Sequence, residues 1–537
     1  MASRIWITCW HISVFITTRM LKKFCFLSLL FISTVLFPQE GNETTPPGSN
    51  GFEICEMSIS EFHDALRAGQ VTCEELVQKY IERIEKYDDA INSIITINPE
   101  ALNDAILLDN EFRGSGQLKP LHGVPFIVKD NFNTAGLQTT AGSILMKGFE
   151  PSQNAFAIQK ILEAGGIILA KSNMAEWAIS GVSTVSSISG ETKNPYNLEY
   201  VPSGSTGGTA AAIAANFGLA GLGTDTGNSI NGPASYTSLV GLRPTIGLVS
   251  RSGTVPLCPA HDTPGIMCRT VEDLARILDV IAGEDKNDPV THHSKGRIPG
   301  TYLPSPGALN LKGVRIGVLN NLASRMKDTV LINLFRHALT DMEKLGAEII
   351  YFSIPEFEQT RKNLWCCDFQ YALNRYLKMQ KGKAPLKNYS EIIGSGKYLE
   401  SSKEFLIQNH AYDEDTISNI NICPGVFASS RRTKFRRTIE KIMDDSDFHL
   451  IIYPTWLVYP AHVGQIPVFP GSGSGAISPL SGQPAMTVPS GFGSDNLPAG
   501  IQLLGRIFDE ALLIEVAYIY EQSNHHRKPP ELFPCNE

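Results

Sequence analysis

Three side chains in this sequence could move a proton between them. Ser205 and Ser229 each lie in a Gly/Ser cluster, Ser203–Gly208 and Gly227–Ser229, and Lys129 follows the apolar run GVPFIV. A hydroxyl is a weak nucleophile until a base takes its proton. Glycine lets backbone N–H groups approach a ligand closely, so such loops can also hold developing negative charge. A lysine that ends a central strand is poorly solvated. Burial lowers an amine from about 10.4 by up to several units, and the neutral amine is a base. A strand-end lysine ordinarily reaches solvent instead, and the local pattern alone leaves both readings open.

The elements that must position these residues are those of an α/β protein. Pro202–Pro233 reads as loop, Ala-rich helix (about Thr209–Asn216), strand, loop. Val124–Val128 is a short apolar strand. A helix over about Ala155–Ala164, then Gly165-Gly166 and a strand Ile167–Ala170, complete a strand–helix–strand unit. Such units build a parallel sheet covered on both faces. Ser58/Glu61 and Thr72/Glu75 fit capping boxes that start two early helices, with Gly69 as a stop. Val314–Leu319, a helix over Val330–Leu345 and Glu348–Phe352 form another unit, and residues 355–445 read as helical and polar. Strands at Phe448–Tyr453, Ala485–Val488 and Ile501–Leu504 and a helix at Glu510–Glu521 close the fold. Without internal repeats or a composition break, one large α/β domain is expected.

Several chemistries are excluded. The Gly-x-Ser-x-Gly elbow of the common serine hydrolases is absent at both serines, because Asn231 follows Ser229 where Gly is needed and Ser203 precedes Ser205. There is no HExxH and no metal-ligand spacing. GGIILAKS has Ala170 before Lys171, so it is not a phosphate loop. His122 and His261 read as structural. A net charge of −8 and a pI near 5.9 give no case for nucleic acid. The basic run Arg431, Arg432, Lys434, Arg436, Arg437 and Lys441 reads as a solvated helix face.

Lys22 and Lys23 precede an apolar run, Phe24–Phe37, followed by GNETTPPGSNG. This is the pattern of a secretory signal over residues 1–39, with Met20 as a possible start and a linker at 40–52. The expected location is the periplasm or the exterior, with an N-terminal membrane anchor as the alternative. Beyond residue 40 the cysteines Cys55, Cys73, Cys258, Cys268, Cys366, Cys367, Cys423 and Cys535 show no CxxC pair. They read as unremarkable thiols; export would permit disulfides, but no pairing can be assigned.

At this point the chain resembles the amidase signature family. GVPFIVKD carries that family's lysine. PSGSTGGTAAAIAA matches its Gly-Gly-Ser-Ser-Gly-Gly segment and GLGTDTGNSINGPA its GTDxGGSIRxPA segment. Later blocks, LVGLRPTIGLVSRSGTVPL and LSGQPAMTVPSGF, follow in order. The resemblance covers about residues 53–525, leaving 526–537 as a tail. It implies a mixed, mostly parallel twisted sheet between helices. It implies a triad of Lys129, Ser205 and Ser229, with Ser229 the acylated nucleophile and Ser205, on a cis peptide after Gly204, bridging it to Lys129. It implies that the N–H groups of Thr226, Gly227, Asn228 and Ser229 hold the oxyanion, that Asp225 orients rather than acts as a base, and that no metal or organic cofactor is needed.

Ser203 and Thr206 depart from the family's Gly and second Ser. Asn228 replaces a Gly, its amide expected to point into the pocket, and Asn231 replaces an Arg. The expected activity is hydrolysis of a linear, non-peptide carboxylic amide by a monomer or homodimer. The resemblance puts the pocket in the 355–445 region and leaves the substrate as a peptide C-terminal amide or an aryl or acyl amide. The alternatives are a glutamine amidohydrolase component of an amidotransferase and a non-catalytic binding protein on the same fold.

Overall fold

The apolar runs of the sequence become strands of one large sheet. The computed structural model describes residues 52–305, 307, 309–410, 423–465 and 471–535. The expected signal segment and residues 40–51 of the linker lie outside the described residues. Among those described, no helix is long and apolar enough to cross a membrane.

The strands are β1 (Ile94–Ile97), β2 (Pro125–Lys129), β3 (Ile167–Ser172), β4 (Val185–Ser186), β5 (Gly190–Glu191), β6 (Ala220–Asp225), β7 (Val240–Arg243), β8 (Thr263–Cys268), β9 (Arg315–Leu319), β10 (Glu348–Phe352), β11 (Leu450–Pro454), β12 (Ala485–Phe492) and β13 (Pro498–Leu504). Eleven form one mixed sheet in the order β1-β3-β2-β6-β8-β7-β12-β13-β11-β9-β10, while β4 and β5 make a separate ribbon. Parallel pairing occupies β3–β2–β6 and β11–β9–β10, which are built from the strand–helix–strand units, and β1 pairs antiparallel with β3 at one edge. The strands between β6 and β11 pair antiparallel. This is the single α/β domain expected.

Strand β2 lies between β3 and β6, and all five of its residues are buried. That settles the ambiguity over Lys129: its strand is central and its side chain is fully buried. The helix Gly207–Ala214 crosses β2 and β6 closely because its residues are small. A Cβ on Gly208 would fall 2.1 Å from the Asn173 carbonyl oxygen, so only glycine fits there. Both capping boxes form, Ser58 with Glu61 and Thr72 with Glu75, starting the helices Ile59–Arg67 and Cys73–Ile91.

Two expectations are corrected. Among the described residues six cysteines are paired, as Cys55–Cys535, Cys258–Cys367 and Cys366–Cys423, and Cys73 and Cys268 are free and buried. The partners lie 480, 109 and 57 residues apart, beyond any local spacing rule. The basic run is only partly a solvated face. On the helix Ser430–Asp445, Arg431, Lys434 and Arg437 are exposed, but Arg432 and Arg436 are buried. Arg432 donates to the carbonyls of Ala260, Pro479 and Leu480, tying that helix to the loops around the site. At the C-terminus, Arg527 pairs with Glu56 at 2.6 Å, so residues beyond 525 pack against the start of the described chain.

Candidate active site

The sheet delivers Lys129 from the end of β2, and the turn into the helix Gly207–Ala214 delivers Ser205. Lys129 Nζ lies 2.7 Å from Ser205 Oγ, and Ser205 Oγ donates to Ser229 Oγ at 3.0 Å. Lys129 and Ser205 are fully buried and Ser229 is 4% exposed. The structure therefore brings together three residues widely separated in sequence, in a line that ends at the least buried one. Burial pulls the Lys129 amine down from 10.5 to about 7, against the opposing pull of the Asp225 and Asp262 carboxylates. Its other neighbours are both on Thr224: the hydroxyl at 2.9 Å and the carbonyl at 3.3 Å. Thr224 was not singled out in the sequence; it is the penultimate residue of β6, where its backbone and side chain both reach Lys129.

The Gly204–Ser205 peptide is cis. Gly204 has no alternative, because a Cβ there would sit 2.2 Å from the Ser183 carbonyl oxygen. Thr206, in place of the family's second Ser, uses its hydroxyl to reach Thr224 O at 3.1 Å, and Ser203 Oγ donates to Gly181 O. Both departures from the family pattern are absorbed by the loop.

Residues 226–229 leave β6 as a short turn. Among the described residues, the N–H groups of Thr226, Gly227, Asn228 and Ser229 donate to no protein acceptor, whereas the next, Ile230 N–H, donates to Asp225 Oδ2 at 2.8 Å. The other oxygen of that carboxylate accepts from Arg243 Nη1 at 2.9 Å, and Arg243 also holds the carbonyls of Asp225 and His261. Both Asp225 carboxylate oxygens are thus engaged, one by the turn's Ile230 N–H and one by Arg243. Arg243 was missed in the sequence, though an arginine ending the apolar strand β7 implies a buried carboxylate partner.

Asn228 does not point into the pocket. Its Nδ2 donates to Gly181 O at 3.0 Å, and its amide lies so close to Gly181 that a Cβ there would meet Oδ1 at 2.4 Å. Asn231 is also buried, donating to Ala485 O at 3.1 Å. The cation that the family has at position 231 is replaced by a neutral tether to β12. His122 and His261 are structural, each ring bonded to a backbone carbonyl.

Two further features border the site. A cavity of about 1020 Å³ approaches from the Thr224 and Thr226 side, with Asn131, Asp262, Asp368 and Tyr376 among its walls. Its lining draws on residues 368–383, within the region expected to shape the pocket. On the outer side, the indole of Trp365 lies over Gly227. Neither Asp262 nor Trp365 carries a local sequence signal.

Comparison with known proteins follows the same lines. The sequence profile described as Amidase matches residues 75–514. A probable amidase of Arabidopsis thaliana is 31% identical over 522 residues, covering 94% of this chain and 97% of that protein. A glutamyl-tRNA(Gln) amidotransferase component from Thermoanaerobacter pseudethanolicus is 32% identical over 504 residues, covering 89% of this chain and 99% of that protein. Among solved structures, native peptide amidase from Stenotrophomonas maltophilia superposes with a TM-score of 0.74 at 30% identity, covering 89% of this chain and 99% of its own.

Proposed function

The chain belongs to the amidase family, and on that premise we propose that it hydrolyses a carboxylic amide through an acyl-enzyme on Ser229, with Ser205 and neutral Lys129 as the proton relay. The observation that carries this reading is the unbroken line Lys129 Nζ, Ser205 Oγ, Ser229 Oγ, at 2.7 and 3.0 Å, ending at a buried amine. A neutral amine has two hydrogens and one lone pair. With its hydrogens directed to the Thr224 carbonyl and hydroxyl, its lone pair can take the Ser205 proton once that hydroxyl turns from Ser229 to the amine.

Lys129 takes the proton of Ser205 as Ser205 takes that of Ser229, and Ser229 Oγ attacks the amide carbon. The carbonyl oxygen, now negative, is held by N–H groups of residues 226–229, each such donor worth about 3 kcal/mol in the transition state. The proton returns through Ser205 to the nitrogen, the C–N bond breaks and the amine or ammonia leaves. Water, activated by the same relay, attacks the ester and releases the acid.

The substrate proposed is a primary amide at the carboxyl end of a peptide or similar acyl chain. This rests on the likeness to peptide amidase and on the disulfides, which belong to an oxidising compartment. An exported protein, as residues 1–39 suggest, would act without partner chains. The likeness to an amidotransferase component supports the second reading, a glutaminase that feeds ammonia to a partner. A panel of peptide amides, anilides, acyl amides and glutamine, read by ammonia or amine release, separates the two. Ser229→Ala is expected to lose amide hydrolysis with an almost unchanged melting temperature; residual activity equal to the parent's would refute the assignment.

A further inference from the structure

Trp365 is a large aromatic left half in water: 48% of it is exposed, in a chain whose other tryptophans near the site, Trp177 and Trp456, are buried. Its ring edge lies over the oxyanion turn, with Cη2 and Cζ3 at 3.5 and 3.7 Å from where a Gly227 Cβ would stand. The ring does not float. It stacks on the imidazole of His261 at 4.5 Å between centroids and 16° between planes. His261 is itself fully buried. Its Nδ1–H donates to Pro479 O at 2.8 Å, and its Nε2 accepts from the Cys366 N–H at 3.3 Å. The two residues after Trp365 are both disulfide-bonded, Cys366 to Cys423 and Cys367 to Cys258. Two covalent staples and a stacked ring thus hold one exposed aromatic face beside the place where the scissile carbonyl must sit.

We propose that Trp365 is a specificity-determining residue, the wall that receives an aromatic or large apolar side chain on the acyl side of the amide. This rests on the amide-hydrolase reading above. When the leaving group is ammonia, the only bulk next to the carbonyl is on the acyl side. A rigid indole, already ordered, gains contact with a substrate ring at little entropic loss, and aromatic pairs favour such offset or edge contacts. The facing surface at Gly227 offers no side chain to compete for the space.

The test is binding of N-acetylphenylalaninamide and N-acetylglycinamide to the Ser229→Ala protein by calorimetry, repeated with Trp365→Ala and Trp365→Phe in that background. The phenylalanine amide is expected to bind about tenfold tighter than the glycine amide. Trp365→Ala should erase that preference without weakening the glycine amide, and Trp365→Phe should keep most of it. In the Ser229-bearing protein, Trp365→Ala should raise KM for the aromatic amide and leave kcat nearly unchanged. The inference is overturned if the parent shows no preference, if Trp365→Ala retains it, or if both ligands weaken equally. Ammonia release by the Ser229-bearing protein is measured alongside. Its absence would refute the hydrolase reading, while the binding comparison still decides for or against Trp365.

Discussion

Arg243 and Asp225 form an ion pair at 2.9 Å directly beneath the turn that carries Ser229, with neither side chain more than 1% exposed. The pair does not touch the relay. It fixes the turn that must present four N–H groups outward, because Asp225 holds Ile230 N–H with one oxygen and the guanidinium with the other. The geometry of the Ser229 turn thus rests on a charge pair one layer beneath it.

Removing one partner leaves the other charge buried and unmatched. Arg243→Met is therefore expected to destabilise the fold by about 3–5 kcal/mol, the usual penalty for breaking a buried pair from one side. Urea unfolding measures it. A loss below about 1 kcal/mol would mean that the Asp225 carboxylate finds another partner or takes up a proton.

That Lys129, Ser205 and Ser229 belong together was legible in the sequence because chemistry restricts their type and glycine marks the serine loops. Lys129 was half legible: the run FIV announces a strand, but only the pairing of β2 with both β3 and β6 shows that the strand is central. Arg243 could have been found from the cost of a lone buried cation. The direction of the Asn228 amide could not, since it depends on Gly181, distant in sequence. The cysteine pairs were illegible for the same reason: Cys55 meets Cys535 only after the whole sheet has formed. Trp365 lies in the polar region with no periodic signal, and its place is set by His261 and two disulfides rather than by its own segment.

The pH dependence of the reaction follows from Lys129. Burial lowers its amine to about 7, and in the proposed relay the neutral form is the base. Protonation below that value removes the acceptor, so kcat/KM should fall about tenfold per pH unit below about pH 7 and level off above it. Lys129→Met should lose activity by orders of magnitude, and what remains should lack this acid limb. A pH–rate profile of the parent that stays flat from about pH 5 to pH 8 would rule out the lysine as the base.

Asn228 and Gly181 form a contact that a double-mutant cycle can isolate. A Cβ on Gly181 would press to within 2.4 Å of Asn228 Oδ1, so Gly181→Ala should swing the amide away and disturb the oxyanion turn. Asn228→Gly, which restores the family residue, removes the obstacle. The alanine should therefore lower kcat/KM strongly alone and weakly beside Asn228→Gly, a coupling of about 0.5–3 kcal/mol. Additive effects would show that Gly181 acts through its own backbone and not through Asn228.

The disulfide Cys55–Cys535 closes a loop of 480 residues and fastens the segment that holds Arg527 against Glu56. Cross-linking removes conformations from the unfolded chain, and a native disulfide is typically worth about 2–4 kcal/mol. Cys535→Ser is expected to lower stability by that order while leaving turnover of a good substrate intact, since the bond lies in the packed ends of the chain and makes no contact with Lys129, Ser205 or Ser229. Peptide mapping after alkylation without reductant should find Cys73 and Cys268 modified only once the protein is unfolded, because both are buried, and should recover Cys55, Cys258, Cys366, Cys367, Cys423 and Cys535 as linked peptides. Free Cys55 in protein recovered from an oxidising compartment would contradict the pairing. Free Cys366 or Cys367 there would remove the staples that hold Trp365 over the oxyanion turn.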